Sequence, residues 1–449
     1  MPVKRRRFPF SLPRLAPLVL GIVVGLGLSA AARAQSLYEL YEAARGFDAP
    51  YLAARAAADS AAYRVEQVHA RRRPQLALGL SAGRGTSDSD RGDITSKSTA
   101  ADLTGTQSLF NRPLDIAIDQ ADKSLDVAKA DVVAAEQDLI VRVAQAYFDV
   151  LAAQDTLETA QANKRAISEQ LASAKRNFEV GTATITDTRE AQARSDLATA
   201  QELQADNDLR AKRIALDTLV GRSNVSPKPL AVPADFAPLV PGTVEEWVAP
   251  TDTAPPVRRA RVQYEVAQLE TERARAARLP TVGLSGSVGR GHTSVSPASP
   301  LTTTGSDTTT SIGVRLDLPL FTGFETQNRI KETLQLEDQA RNLLEAARRT
   351  QAQQARVAYF GVESLQAQVN ALEAAEASSL LALEATQLGY KVGVRVNLDV
   401  LNAQTQLFNA RRDLARARYD VLVNSLRLRQ AAGTLMPDDV LKVNQLLAK

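Results

Sequence analysis

Apolar residues follow two different periods along this chain. Leu76, Leu78 and Leu80 alternate with Ala77, Gly79 and Ser81, and Ile312, Val314, Leu316, Leu318 and Leu320 alternate with Gly313, Arg315, Asp317 and Pro319. A period of two with one apolar and one polar or small face predicts strands. Elsewhere the spacing is seven: Val143, Val150, Leu157, Leu171 and Phe178 form one row, and Leu125, Val132, Leu139 and Ala146 another. A sustained heptad predicts left-handed coiled-coil pairing, and the many alanines beside these rows let helices approach closely. No proline interrupts the chain between Leu114 and Pro227, or between Leu320 and Pro437. Each of these stretches is broken once, at Gly181 or Gly393, into a long arm (about 115–180 and 326–391) and a shorter one (184–220 and 396–432). A helix of about 65 residues spans roughly 100 Å at 1.5 Å per residue, several times the usual length.

The same parts occur twice. The segment Pro74–Gly85 aligns without a gap on Pro280–Gly291 at an offset of 206 residues. The offset then settles at 212, which places Tyr147-Phe148 on Tyr359-Phe360, Phe178-x-Val180-Gly181 on Tyr390-x-Val392-Gly393, Asp187 on Asp399 and Gly221 on Gly433. A period this long points to a duplicated domain and not to a solenoid. Residues 35–221 form the first unit and 252–433 the second. Each comprises a leading helix (36–72, 252–278), a strand pair and the long helical arms. Polar loops at 84–98 and 290–308 read as surface excursions. The segments 222–251, with six prolines, and 434–449 have no repeat partner. The first reads as an irregular collar with a short helix near Val244–Val248.

Charge changes the picture only after the start of the chain is set aside. Lys4, Arg5, Arg6 and Arg7 precede an uncharged run from Leu15 to Ala32, and Ala32-Arg33-Ala34 supplies small residues at a cleavage position, so residues 1–34 read as a secretory signal. Without its six basic residues, the 54 of the whole chain fall to 48 against 51 acidic ones, a net charge of −3. Nucleic-acid binding thereby loses its electrostatic support. No cysteine is present and only His69 and His292 are available, which excludes thiolate metal sites and cysteine chemistry and leaves little for histidine catalysis. No nucleophile set, phosphate loop or ligand cluster stands out, so an enzyme, a cofactor and a bound metal are not expected.

Four strands cannot close a membrane barrel, because the smallest need eight, and open edges are forbidden in lipid. Three chains would supply twelve strands and twelve helical strands around one axis. The pattern resembles the TolC family of outer-membrane channel-tunnels over essentially the whole mature chain. The resemblance rests on Ser36-Leu-Tyr-Glu-Leu-Tyr-Glu-Ala-Ala-Arg45, Ala146-Tyr-Phe-Asp-Val-Leu151, Phe178–Asp187, Gly389-Tyr-Lys-Val-Gly393 and Ala410–Tyr419. It implies a mixed α/β membrane protein. Three chains would share a 12-stranded barrel in the outer-membrane lipid of a Gram-negative bacterium, continuous with a 12-helix periplasmic tunnel. It implies a homotrimer working with a periplasmic adaptor and an inner-membrane transporter of the ABC or RND class, as an exit duct for type I protein secretion, multidrug efflux or both. The competing class is a soluble periplasmic coiled-coil adaptor, which would carry one hairpin flanked by lipoyl-like and barrel domains.

The resemblance also assigns roles at the turns. Val180, Gly181, Val392 and Gly393 are expected to form the tips on which the adaptor docks. Thr186, Asp187, Tyr390 and Arg395 match a family latch that links neighbouring coiled coils and holds the entrance shut. The alternative for these four is a solvated surface pair worth about 0–1 kcal/mol. Asp399 matches the first of two inward acidic residues at the entrance, and Asn402 stands where the second would be. One ring of carboxylates is therefore expected where two are usual. Tyr147, Tyr359 and Trp247 read as packing residues, and both histidines as structural or surface groups.

Overall fold

The computed structural model describes residues 35–88, 93–231, 239–296 and 304–448. The signal reading of residues 1–34 lies outside the described residues. In chain order the elements are α1 (Leu37–Arg45), α2 (Ala49–Ala70), β1 (Gln75–Ser87), β2 (Ile94–Phe110), α3 (Arg112–Glu179), α4 (Ile185–Val220) and α5 (Val244–Val248). A 3₁₀ turn (Ala249–Thr253) follows, then α6 (Pro255–Ala276), β3 (Thr281–Ser296), β4 (Gly305–Asp317), α7 (Glu325–Lys391), α8 (Asn397–Ala432) and α9 (Pro437–Asn444). The long arms and the short collar helix thus stand where the heptads and the collar sequence put them.

Three local expectations differ. The leading helix is two helices, split at Gly46-Phe47-Asp48. A capping box between Ser36 and Glu39 starts α1. Asp48 starts α2 by accepting from the Tyr51 N–H at 3.0 Å, with Pro50 in the first turn. The loops between the strands are narrower than 84–98 and 290–308, since pairing runs as far as Ser87–Ile94 and Thr293–Gly305. The Thr, Ile and Val residues in these runs favour an extended chain, so the polarity of the runs marks exposure and not irregularity. Conversely β4 stops at Asp317, short of Leu320, because Pro319 has no N–H to pair and the chain turns through positive φ at Gly323 and Phe324.

The four strands form one antiparallel sheet in the order β1-β2-β3-β4. Register separates two faces. Leu78 pairs with Leu103 and Leu103 with Val288; Leu76 pairs with Gly105, and Ile312 with Gly286. Leu76, Leu78, Leu80, Ile312, Val314 and Leu316 are all exposed in the single chain. On the other face Asp102 lies between Gly79 and Gly289, and a Cβ at Gly79 would come within 2.7 Å of the Asp102 carboxylate. The apolar face is the lipid side and the Gly, Ser, Thr and Asp face is the lumen. Among the described residues no helix is long and apolar enough to cross a membrane. β1 and β4 each keep one unpaired edge, and three copies close the ring.

Below the sheet α3 packs against α2 and α6 in its upper part and against α4 and α8 in its lower part, while α7 packs against α6 and α8. The heptads explain the pairing. Val143 and Val150 are fully buried in α3. Ala191, Ala198 and Ala205 make a buried seven-residue row in α4, as Ala355, Val362 and Val369 do in α7. The largest core lies at mid-length, where α1, α3, α8, α9 and the collar meet around Tyr41, Tyr147, Phe148 and Leu426. Repeat-equivalent tyrosines fasten the collar, Tyr147 in this core and Tyr359 beside a second one around Trp247 and Val362. The Tyr147 hydroxyl donates toward the carbonyls of Lys228 (2.9 Å) and Gln35 (3.2 Å), and the Tyr359 hydroxyl donates to the carbonyl of Gly242 (2.7 Å). Burial pushes the Tyr147 phenol well above its usual range, so it stays a donor. Trp247 is buried in the collar and donates to the Pro241 carbonyl at 2.8 Å.

α1 and α2 are tied to α3 by a forked ion pair. Arg142 donates Nη1 to Asp48 Oδ1 and Nη2 to Asp48 Oδ2, both at 2.9 Å. The Arg142 fork holds the Asp48 carboxyl below its usual range. The stability this group contributes is therefore present above the ordinary carboxylate pKa and is lost as pH falls through the lowered one. Asp48→Ala is expected to cost roughly 2 kcal/mol at neutral pH, from a lost helix cap and a lost charged hydrogen bond, with the partly exposed Arg142 limiting the loss. Thermal melting of the assembled protein should show the gap between variant and wild type closing in acid; a constant gap would remove the ion pair from the account.

Candidate functional site

The two helix-breaking turns are built alike. Gly181 has φ +82° and Gly393 φ +83°. Both close with the same pair of carbonyl contacts, because Thr182 N–H and Ala183 N–H donate to the Asn177 carbonyl, and Val394 N–H and Arg395 N–H to the Gly389 carbonyl. A left-handed residue after the last helical turn is the ordinary requirement for such a closure, and glycine meets it without strain. Around these turns sit exposed apolar side chains. Val180 is 73% and Val392 65% exposed, and Val394, Val396 and Leu388 are open as well. Val180-Gly181 and Val392-Gly393 thus form two equivalent turns, each carrying an exposed valine.

The helices that leave the turns start differently. Thr184 caps α4, and the Asp187 carboxylate accepts from the Thr184 N–H (2.9 Å) and hydroxyl (2.7 Å). The equivalent position before α8 is Val396, which has no side-chain acceptor. The repeat partner of Asp187, Asp399, is therefore free of capping duty and lies 3.5 Å from Arg395 Nη1, one helical turn back. Both groups are well exposed, so this contact by itself is worth about 0–1 kcal/mol. A second asymmetry supports it. Gly389 replaces Asn177, and a Cβ there would come within 2.8 Å of Arg395 Cγ, so the glycine makes room for the arginine stem.

Three polar contacts join the first hairpin (α3, α4) to the second (α7, α8) near the tips. Asn177 Nδ2 donates to the Tyr390 hydroxyl at 3.1 Å, Gln170 donates to Asn397, and Arg194 donates to Asn402 Oδ1 at 3.1 Å. Higher up the seam the Tyr419 hydroxyl donates to Asp155 Oδ2 at 2.6 Å, with Phe148 stacked on its ring. Burial pushes the Asp155 carboxyl up, and the Tyr419 hydrogen bond opposes that rise.

Within one chain the four latch candidates are not brought together. Tyr390 meets Asn177, Arg395 meets Asp399, Asp187 caps its own helix, and Thr186 is exposed. Arg395 and Asp399, assigned separate roles from the sequence, are neighbours. Asn402 accepts a hydrogen bond from Arg194 of the other hairpin. Sequence reasoning missed Asn177, Gln170, Arg194 and Asn397. Their one available signal was the mismatch between the repeats, Asn177 against Gly389 above all. Among the described residues no cluster of three or more His, Asp or Glu is arranged to hold a metal ion. His69 lies 3.5 Å from Asp122, and His292 shares a hydrogen bond with Ser306 in the sheet.

A family model described as outer membrane efflux protein matches residues 40–222 and 252–434. The outer membrane protein TolC of Vibrio cholerae is 34% identical over 436 residues, covering 96% of this chain and 98% of that one. TolC of Escherichia coli is 30% identical over 444 residues, covering 97% and 90%. The alkaline protease secretion protein AprF of Pseudomonas aeruginosa is 36% identical over 310 residues, 68% of this chain and 63% of that one. Among solved structures, the outer membrane protein VceC of Vibrio cholerae superposes with a TM-score of 0.75 at 22% identity, covering 88% and 96%. CusC superposes with a TM-score of 0.77 at 20% identity, covering 89% and 92%.

The capping asymmetry can be tested directly. Val396→Thr is expected to draw the Asp399 carboxylate into a capping box, detach it from Arg395 and stabilise the start of α8 by about 1 kcal/mol. A crystal structure of the variant would show the exchange, and an unchanged Arg395–Asp399 pair would refute it.

Proposed function

Because the chain belongs to the outer membrane efflux protein family, we propose that three copies form a passive exit duct, open to the outside through the shared barrel and to the periplasm through the helical tunnel. The observation that carries this reading is the sheet with two unpaired edges whose strands β2 and β4 lead into paired helical hairpins. A soluble coiled-coil adaptor has no use for a sheet with a leucine face. Two of the relatives are described as an outer membrane protein and one as a secretion protein for alkaline protease, which suits a duct that serves type I protein secretion or efflux. The duct works with a periplasmic adaptor and an inner-membrane transporter that selects the cargo. In this reading residues 35–221 and 252–433 are the two structural units, with 222–251 and 434–449 as the collar.

The turns are the gate. The Arg395–Asp399 pair is the released arrangement, held between the turn and the start of α8. In the closed one Arg395 reaches the Thr186–Asp187 segment of an adjacent hairpin, where a charge-assisted bond repeated three times latches the mouth. Tyr390, tethered by Asn177, keeps the two hairpins of one chain in step. Val180-Gly181 and Val392-Gly393 present the apolar points that an adaptor covers. Asp399 lines the mouth with one ring of carboxylates, which concentrates cations in a narrow water-filled opening, and Asn402 adds no charge to it.

Planar-bilayer recordings of the purified trimer test both parts. Arg395→Ser, alone or with Tyr390→Phe, is expected to raise single-channel conductance; unchanged conductance with intact trimers would leave only a surface ion pair. Asp399→Ala is expected to lower the cation preference read from reversal potentials under a salt gradient. Equal reversal potentials would take Asp399 out of the mouth while leaving the duct in place.

A further inference from the structure

The lipid face of the sheet changes character at its outer end. Arg84 and Lys97 are direct cross-strand partners on β1 and β2. Both have the parity of Leu76, Leu78, Leu80 and Leu103, so they lie on the lipid face and not in the lumen. Arg290 pairs with Ala101, the partner of Leu80, and shares this face, as does His292 opposite Thr99. Arg84, Lys97, Arg290 and His292 are all exposed. From Val282 to Arg290 the strand runs eight residues, or roughly 26 Å at 3.3 Å per residue, which tilt reduces to about 20 Å along the membrane normal. That is close to the height of the apolar band of such a barrel, so the cations stand at its outer rim.

Charge is sorted between the faces. The strand carboxylates Asp102, Asp307 and Asp317 have lumen parity; Asp307 lies beneath Gly291, 3.0 Å from where its Cβ would stand. The nearest acids along β1 and β2, Asp88 and Asp93, lie beyond the pair at the hairpin end, and among the described residues no ion pair joins Arg84, Lys97 or Arg290 to a carboxylate. Like charges directly opposite each other destabilise a sheet, so the Arg84–Lys97 pair works against folding unless an anion lies across it. The repeat carries the feature twice, since Gly83-Arg84-Gly85 and Gly289-Arg290-Gly291 are equivalent in the gapless alignment. A trimer therefore carries six such arginines around its outer rim.

We propose that Arg84 and Lys97, extended by Arg290, form a binding site on the outside of the barrel for the phosphate groups of a phosphorylated outer-leaflet lipid. Its acyl chains lie along Leu80, Leu103 and Val288, directly below the cations. The guanidinium of Arg84 supplies forked hydrogen bonds and Lys97 a point charge. The site anchors the barrel at a fixed depth and clothes it with bound lipid. It rests on reading the leucine face as the membrane face.

Native mass spectrometry of the detergent-solubilised trimer, titrated with diphosphorylated lipid A or its dephosphorylated form, tests the site. Wild type is expected to prefer the phosphorylated lipid. Arg84→Gln, Lys97→Gln and Arg290→Gln together should weaken that binding by about five-fold per charge and leave the dephosphorylated lipid unaffected. Arg315→Gln, on the lumen face, should change neither. Wild type binding both lipids equally, or a triple variant binding like wild type, would overturn the site; if such protein still forms channels in bilayers, the duct reading survives. Should the triple variant not assemble, the wild-type lipid comparison and the single Lys97→Gln variant decide between the same outcomes.

Discussion

Everything in this molecule follows from the cost of an unpaired backbone group in lipid. The four strands present a leucine face that belongs in a membrane, yet β1 and β4 each end the sheet with a row of free N–H and C=O groups. Each such group costs several kcal/mol in hydrocarbon, so a single chain cannot stay there alone. Pairing β1 of one copy with β4 of the next removes both edges at once, and three copies give the even twelve-stranded ring. The helical hairpins follow the same strands, β2 leading into α3 through Asn111 and β4 into α7 through a short turn, so the symmetry that closes the barrel also sets twelve helical strands around one axis.

The helices solve a second problem, how to make a long wall from one layer. Rows such as Ala191, Ala198 and Ala205 keep each helix close to its neighbour over its length, while α4 and α7 keep apolar residues such as Leu203, Ile214, Val357 and Leu381 exposed at the two flanks of the protomer. At mid-length the collar is buttoned onto the long helices by Tyr147 and Tyr359, which hold its backbone carbonyls where the coiled coil alone would leave them open. Near the tips the two hairpins meet through Leu401, buried among Ile167, Leu171 and Ala198, and through the three polar contacts of Asn177, Gln170 and Arg194.

Much of this was legible in the sequence because the constraints are periodic. Proline-free stretches split at Gly181 and Gly393 gave the long helices almost to the residue, heptads gave their pairing in the first arm, and alternation near Leu76 and Ile312 found the sheet. The misses share a cause: they depend on chemistry that periodicity does not record. The Ser- and Thr-rich ends of the strands looked like loops although they pair. The break at Gly46–Asp48 came from a cap within an Ala-rich run. At the tips the repeat alignment put Asp187 and Asp399 in register and hid their difference, since Thr184 caps one helix and Val396 cannot cap the other. The partners of Tyr390 and Asn402 lie on another hairpin, more than 200 residues away in the chain, and no local pattern announces them.

The central claim is that the sheet is completed only across chains. Hydrogen exchange of individual backbone amides in the detergent-extracted protein tests it most directly. Strands β2 and β3 are paired on both sides within one chain, whereas half of the amides of β1 and β4 point away from any partner in it. The account expects the outward amides of β1 and β4 to be protected as strongly as those of β2 and β3. Fast exchange confined to those outward amides, in protein that still conducts, would contradict it.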